Sequence, residues 1–323
     1  MSMLAARITA PRRMEMVEVA EPDLAGANDG AIVVHTALSA VCGSDLPKYY
    51  RELKPAKYPL PDGHSMHECI GTVVMSRSQR FREGDAVLAL PSGSCGLAQR
   101  FASHEDVTVA LPGGRLDEAL VLAQPLGTVI CALRRLPPVL DLDTVVLGQG
   151  PMGLMFTRML ASHGARRVIG IDPLAHRREA AQVMGATHVL DPHAGELSEQ
   201  LRAITGGELA DLVVEAVGHQ SETINTCIDL VRLQGTILAF GIPDDPVYPV
   251  RYTDLFRRQA LLLPSVAPDA QRDFSLALDL ISQRRFDPMP LVSHRMPYTQ
   301  APRAFEMATA YSDGAVKILL SYA

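Results

Sequence analysis

No apolar stretch of this 323-residue chain approaches the roughly 20 residues that a membrane-spanning helix requires. The first residues, MSMLAARITAPRR, lack the long apolar core of a secretion signal. Cysteine is scarce and odd in number: Cys42, Cys69, Cys95, Cys131 and Cys227 are scattered, which argues against a disulfide framework. Together these absences point to a reducing cytoplasm and free thiols. No excess of one charge is present either. The net charge of -6 is modest and spread along the chain, so neither nucleic acid nor an anionic membrane is implied as a partner. There is no internal repeat and no low-complexity tract. What is there, 47% hydrophobic and 20% charged residues, is a globular composition long enough for two domains with separate cores.

The stretch VVLGQGPMG, residues 145–153, sets Gly148, Gly150 and Gly153 in the spacing G-x-G-x-x-G. That spacing is common, so its setting decides its meaning. Before it, Thr144 to Leu147 is a branched apolar run of the kind that forms a buried parallel strand. After it, Met152, Met155, Phe156, Met159 and Leu160 recur at helical spacing, and Gly164 closes the helix. A second apolar run, RRVIGI, ends at Asp172. In this order the parts form a dinucleotide cradle. The first glycine permits the turn, the second admits a pyrophosphate against the backbone, and the third lets helix and strand pack closely. Pro151 and Met152 open the helix, whose free N–H groups offer themselves to the phosphates. Asp172 can accept from ribose hydroxyls and would repel a 2′-phosphate, favouring NAD over NADP. Arg177 and Arg178 could bind that phosphate, or form a solvated helix turn. A glycine turn with no ligand is the alternative.

From Leu126 to Ser265 short apolar runs alternate with helical patterns. THVLD (187–191), DLVVEAVG (211–218), GTILAFG (235–241) and ALLLPS (260–265) are expected as strands. HRREAAQVMG and ETINTCIDLVRLQG are expected as helices ending in glycine. Such alternation gives a doubly wound parallel sheet. Residues 1–125 differ: GAIVVHTAL, CIGTVVM and DAVLALP are separated by Pro- and Gly-rich turns, the pattern of an antiparallel β domain. The tail, 266–323, holds a helix, FSLALDLISQRRF, and a strand, AVKILLSY, with no sheet partner nearby in sequence. That strand is expected to cross back to the first domain, with the active site in the cleft between the two.

VCGSDL (41–46) and HSMHECIGTVV (64–74) carry the residues suited to chemistry. Cys42 and His67 are a thiol and an imidazole, both zinc-binding types, with the carboxylate of Glu68 adjacent. By spacing alone, one Cys and one His 25 residues apart are more often a buried thiol and an ordinary histidine.

These stretches resemble the medium-chain dehydrogenase/reductase family and, within it, the zinc-dependent alcohol and polyol dehydrogenases. C-G-S-D at 42–45 is similar to the loop carrying the catalytic zinc cysteine, and H-E-C-I-G-T-V at 67–73 to G-H-E-x-x-G-x-V, which carries the zinc histidine. GDAV (84–87), QPLGT (124–128), the glycine loop and GAVKILL (314–320) extend the likeness along the chain. The resemblance implies a Rossmann domain inserted in a mostly-β GroES-like catalytic domain. It implies that Cys42, His67 and Glu68 hold one zinc ion, with Asp45 orienting His67 and Ser44 relaying the alcohol proton. Thr128 would face the nicotinamide and Lys317 would reach the pyrophosphate. A homodimer or homotetramer would follow, with a small alcohol or carbonyl compound as substrate.

Three departures accompany it. Met66 stands where the family has glycine, and Gly63 with His64 forms a decoy Gly–His pair, although alignment on His67 sets Glu68, Gly71 and Val73 in place. Gln124 replaces the acid of the E-P-L segment, a weaker ligand. PSGSCGLAQRF keeps only Cys95 where the family has four lobe cysteines, too few for a structural zinc site. Two further readings remain: a metal-free NAD(P)H-dependent reductase acting on an activated C=C bond, and a non-catalytic nucleotide sensor. Tyr49, Tyr50 and the loop at 51–64 would wall the substrate pocket, where Arg51, Lys54 and Lys57 could attract an anionic group or form a solvated loop.

Overall fold

The computed structural model describes residues 2–51 and 57–322, so Lys54 lies outside the described residues. The chain divides into two compact units, Met1–Gly127 with Asp269–Ala323, and Thr128–Pro268. Strands β1 (Ser2–Ala10) and β2 (Arg13–Ala20) form a hairpin. They are followed by β3 (Ala31–Ala40), a short helix α1 (Leu46–Tyr50), β4 (Cys69–Ser76), β5 (Ala86–Ala89), β6 (Arg100–His104) and β7 (Thr108–Ala110). Helix α2 (Ala123–Leu133) carries the chain across the unit boundary. Strands and helices then alternate: β8 (Asp143–Leu147), α3 (Pro151–Ser162), β9 (Arg167–Ile171), α4 (Ala175–Val183), β10 (His188–Leu190) and α5 (Leu197–Thr205). The second unit closes with β11 (Ala210–Glu215), α6 (Thr223–Leu230), β12 (Val231–Ala239), α7 (Tyr252–Arg258) and β13 (Leu261–Pro264). The tail contributes α8 (Ser275–Ser282), β14 (Val292–Pro297), α9 (Ala301–Ala310) and β15 (Lys317–Ser321).

The first unit is built on a sheet ordered β14-β15-β3-β4-β5-β7, with β6 also paired to β3. Its pairings are antiparallel apart from β14 with β15. Ile32, Val34, Val73, Val87 and Leu320 turn into one core, closed by Phe305 of α9. Each such aliphatic side chain contributes about 1.5–3 kcal/mol on full burial. The tail strand pairs Leu319 with Ala40, which ties the end of the sequence to its beginning.

The second unit is a parallel sheet ordered β10-β9-β8-β11-β12-β13. Strand β8 is buried along its whole length, as its unbroken apolar run dictates. Val145, Ile169, Val213 and Ile237 share a core with Leu201 of α5 and Ile228 of α6. Gly148, at φ +90°, makes the turn out of β8, and a Cβ on Gly153 would stand 1.8 Å from the Gly148 carbonyl oxygen. Neither position can carry a side chain. Pro151 suits the first turn of α3, where its missing N–H costs nothing. The helix expected through ETINTCIDLVRLQG stops earlier, at Leu230. From Val231 the chain pairs with β11, first at Ala210 and then, after an irregular turn through Gln234 at φ +59°, at Leu212. Branched Val231 suits the strand better than the helix. Among the described residues no helix is long and apolar enough to cross a membrane.

Candidate active site

Three strand ends meet in the first unit. Cys42 follows β3, His67 and Glu68 precede β4, and Lys317 opens β15, and the antiparallel pairing brings all three to the same end of the sheet. Backbone bonds fix the meeting point: Ala40 N–H donates to the Glu68 carbonyl at 3.0 Å and Val41 N–H to the Ile318 carbonyl at 3.0 Å. The turn through Gly43 and Ser44 closes when Asp45 N–H donates to the Cys42 carbonyl at 3.0 Å, and α1 follows.

The donor atoms of Cys42, His67 and Glu68 lie within 4.8 Å of one another. Asp45, 2% exposed, accepts from Ser65 Oγ at 2.8 Å and from His67 Nδ1 at 3.0 Å. That bond fixes the imidazole and leaves Nε2 for a metal. Ser44 Oγ donates to Cys42 Sγ at 3.3 Å. Burial alone would lower the His67 pKa, but the charges of Asp45 and Cys42 outweigh it and hold the value well above the ordinary histidine range. Glu68 is fully buried, and its Oε1 accepts from Lys317 Nζ at 2.8 Å. Its Oε2 is buried with no partner, as is Oδ2 of Asp45. An unsatisfied carboxylate oxygen beside a thiol and an imidazole is a donor set that a zinc ion would satisfy. The residues fit the metal.

Lys317 corrects an expectation. It is 1% exposed, and its ammonium donates to Glu68 and, at 3.0 Å, to the Val41 carbonyl, both in the first unit. A lysine buried this deeply has to be paired where it lies, so the pyrophosphate role is withdrawn. Tyr49 is likewise core and not a substrate wall: it is buried, edge-on to Phe305, with its hydroxyl on Glu306 at 3.1 Å. Burial and then the Glu306 carboxylate push its pKa up to about 12. Tyr50 stays half-buried beside Arg51. Gln124 sits in the first turn of α2, 7% exposed, with Thr128 one turn further along. Cys95 lies at the end of a short turn, Ser92–Ser94, between β5 and β6.

In the second unit, Gly150 has an extended backbone, and a Cβ there would meet only the Arg177 guanidinium, at 3.8 Å. Asp172 follows β9, is 3% exposed, and accepts from Gln149 N–H at 2.8 Å and Leu174 N–H at 2.9 Å. Arg177 lies 3.7 Å from it. Arg178 instead closes the turn on the carbonyls of Asp172 and Pro173 and pairs with Asp191 at 3.1 Å. Two further residues organise this end of the sheet. Gln149 staples the loop to α3 through Thr157, and Glu215 accepts from the N–H groups of Val217, Gly218 and Gly241. Gln149 fills an unspecified place of the glycine motif, and Glu215 belongs to none. Ser65 was equally hidden, although its hydroxyl lies two residues before His67 in sequence.

Comparison with known proteins agrees with both units. Residues 28–129 match the alcohol dehydrogenase GroES-like domain, and residues 151–283 match the zinc-binding dehydrogenase model, between them most of the chain. A D-xylulose reductase of Saccharomyces cerevisiae is 23% identical over 96% of this chain and 95% of its own length. An alcohol dehydrogenase of Cupriavidus necator is 24% identical over 98% of both chains. Among solved structures, the alcohol dehydrogenase TADH from Thermus sp. ATN1 superposes with a TM-score of 0.86 at 24% identity, covering 99% of this chain and all 100% of its own.

Proposed function

Because the chain belongs to the zinc-dependent alcohol and polyol dehydrogenases of the medium-chain dehydrogenase/reductase family, we propose that this oxidoreductase passes hydride between NAD(H) and a secondary alcohol or polyol and its carbonyl product. The observation that carries the reading is the cluster of Cys42, His67 and Glu68 with its unpartnered Oε2. These residues would hold one zinc ion, which when bound supplies a Lewis acid for the substrate oxygen. The chain's own residues do the rest. Asp45 keeps the His67 proton on Nδ1, so that Nε2 stays a ligand. The Ser44 hydroxyl, which hydrogen-bonds the Cys42 sulfur, would take up the alcohol proton at Oγ while giving up its own proton toward solvent. The hydride chemistry belongs to the nicotinamide, whose pyrophosphate the loop of Gly148, Gly150 and Gly153 would receive, with Thr128 towards the ring.

Protein purified in chelator-free buffer should carry one zinc per chain by elemental analysis and oxidise members of an alcohol panel with NAD. Two zinc ions per chain would show a second site around Cys95. No zinc together with NADPH-driven reduction of an activated C=C bond would replace the reading with the metal-free one.

The cofactor preference follows from Asp172. Its carboxylate, fixed by two backbone N–H groups, would accept from the ribose hydroxyls and repel a 2′-phosphate. NADH should therefore bind more tightly than NADPH in calorimetric titration, and Asp172→Ala should narrow or reverse the gap by exposing the phosphate to Arg177. Equal affinity of the unmodified protein for both would refute this. Assembly as a homodimer or homotetramer in the cytoplasm completes the reading, with β13, one of the two outer strands of the second sheet, as the contact.

A further inference from the structure

A concavity of about 780 Å³ opens in the first unit. Its wall includes Arg7, Lys48, Lys57, Leu60, Asp62 and His64. The wall is held in place: Leu60 N–H donates to the Ile8 carbonyl at 2.9 Å and Gly63 N–H to the Ala6 carbonyl at 2.8 Å. Tyr58 donates to the Arg51 carbonyl at 2.6 Å, which ties the end of α1 to the segment carrying Lys57. Arg7 and Asp62 neutralise each other through a two-bonded pair, Nε to Oδ1 at 2.6 Å and the terminal nitrogen to Oδ2 at 3.2 Å. Lys48 and Lys57 have no ion-pair partner among the described residues. Among the described residues, two cations without an ion-pair partner thus share one concavity in a chain whose net charge is -6. A concave wall concentrates their field on whatever enters.

Two residues of its wall stand on the chain segments that carry the reacting centre. Lys48 N–H donates to the carbonyl of Asp45 at 3.2 Å, and Asp45 is the residue that orients His67. His64 opens the segment that ends at His67 and Glu68; its Nδ1 is engaged by the Gly93 carbonyl at 3.0 Å. We propose that this cavity receives an oxyanion on the substrate, a phosphate monoester or a carboxylate, with Lys48 and Lys57 as its cationic partners. The preferred substrates are then polyol phosphates or sugar acids, not neutral polyols. The proposal rests on the reading of Cys42, His67 and Glu68 as the reacting centre.

The test uses the full-length zinc-loaded enzyme with NAD on matched substrates: a neutral polyol, its terminal phosphate and the corresponding aldonate. An anionic substrate should be favoured in kcat/KM over the neutral one, and the preferred anion tells phosphate from carboxylate. In the Lys48→Ala/Lys57→Ala double variant that preference should fall about tenfold or more, chiefly through KM, whereas Lys48→Arg, which keeps the charge, should retain most of it. Added sodium chloride should erode the same preference in the unmodified enzyme. A neutral polyol used as well as its phosphate, or a preference unchanged in the double variant, overturns the proposal and leaves the proposed function standing. If no alcohol is turned over at all, the proposed function fails. Calorimetry with inorganic phosphate then tests the cavity alone: binding weakened about tenfold in the double variant supports an oxyanion site, and identical binding rejects it.

Discussion

Cys42→Ala is expected to remove zinc and alcohol turnover together while leaving NADH binding unchanged. The thiolate is one of only three donors that converge in the cluster, and alanine offers no replacement atom. Losing the Lewis acid withdraws several kcal/mol of transition-state stabilisation, so the rate should fall by roughly 10³-fold or more. NADH affinity is the internal control, because the glycine loop folds in the other unit. Elemental analysis, initial rates and a fluorescence titration on one preparation decide the matter. If Cys42→Ala oxidises its alcohol at the unmodified rate, the zinc reading is wrong.

Lys317→Met carries the largest expected effect on stability. Glu68 is fully buried, and among the described residues the only charge hydrogen-bonded to it is the Lys317 ammonium. Methionine fills similar space but strands the carboxylate, and breaking a buried pair from one side costs about 3–5 kcal/mol. The Val41 carbonyl loses its donor as well. Urea unfolding of the metal-free protein should register the loss, and Lys317→Met/Glu68→Gln should recover much of it by removing both charges. Burial alone would lower the Lys317 pKa, but Glu68 and then Cys42 outweigh it and raise the value above 10.5. A raised value means that this stabilisation is fully present below the ordinary lysine pKa and is lost only as pH climbs through the raised one. The difference between the unmodified protein and Lys317→Met should therefore hold steady through neutral pH. A cost below about 1 kcal/mol would show that Glu68 is not held as a buried anion.

What the sequence disclosed tracks how local each feature is. Strand β8, the glycine turn and α3 are consecutive, and each is specified by its own residues, so their order was legible. The boundary between α6 and β12 was not, because the apolar spacing of IDLVRL suits a helix and a strand alike, and only pairing with β11 decides. The same holds at the site. Cys42, His67 and Glu68 stand in short motifs, whereas the bond between Lys317 and Glu68 spans 249 residues. No spacing rule reaches that far, and the family resemblance of GAVKILL implies a phosphate contact instead. Tyr49 misled for a related reason: a tyrosine beside a motif reads as a pocket wall until Phe305 and Glu306 of α9 are seen to cover it.

The three glycines of the nucleotide loop differ in how freely they could diverge. Gly148 and Gly153 are fixed by the chain itself, one by its left-handed backbone and the other by the carbonyl a Cβ would strike. A descendant that had abandoned nucleotides would still need both in order to fold. Gly150 is under no such constraint, since its backbone is open to any residue and a Cβ would make only an ordinary contact with Arg177. A glycine there would suit a ligand that approaches the backbone closely, as a pyrophosphate would. Among relatives of this protein, loss of glycine at that one position should mark lineages in which the cofactor has been given up.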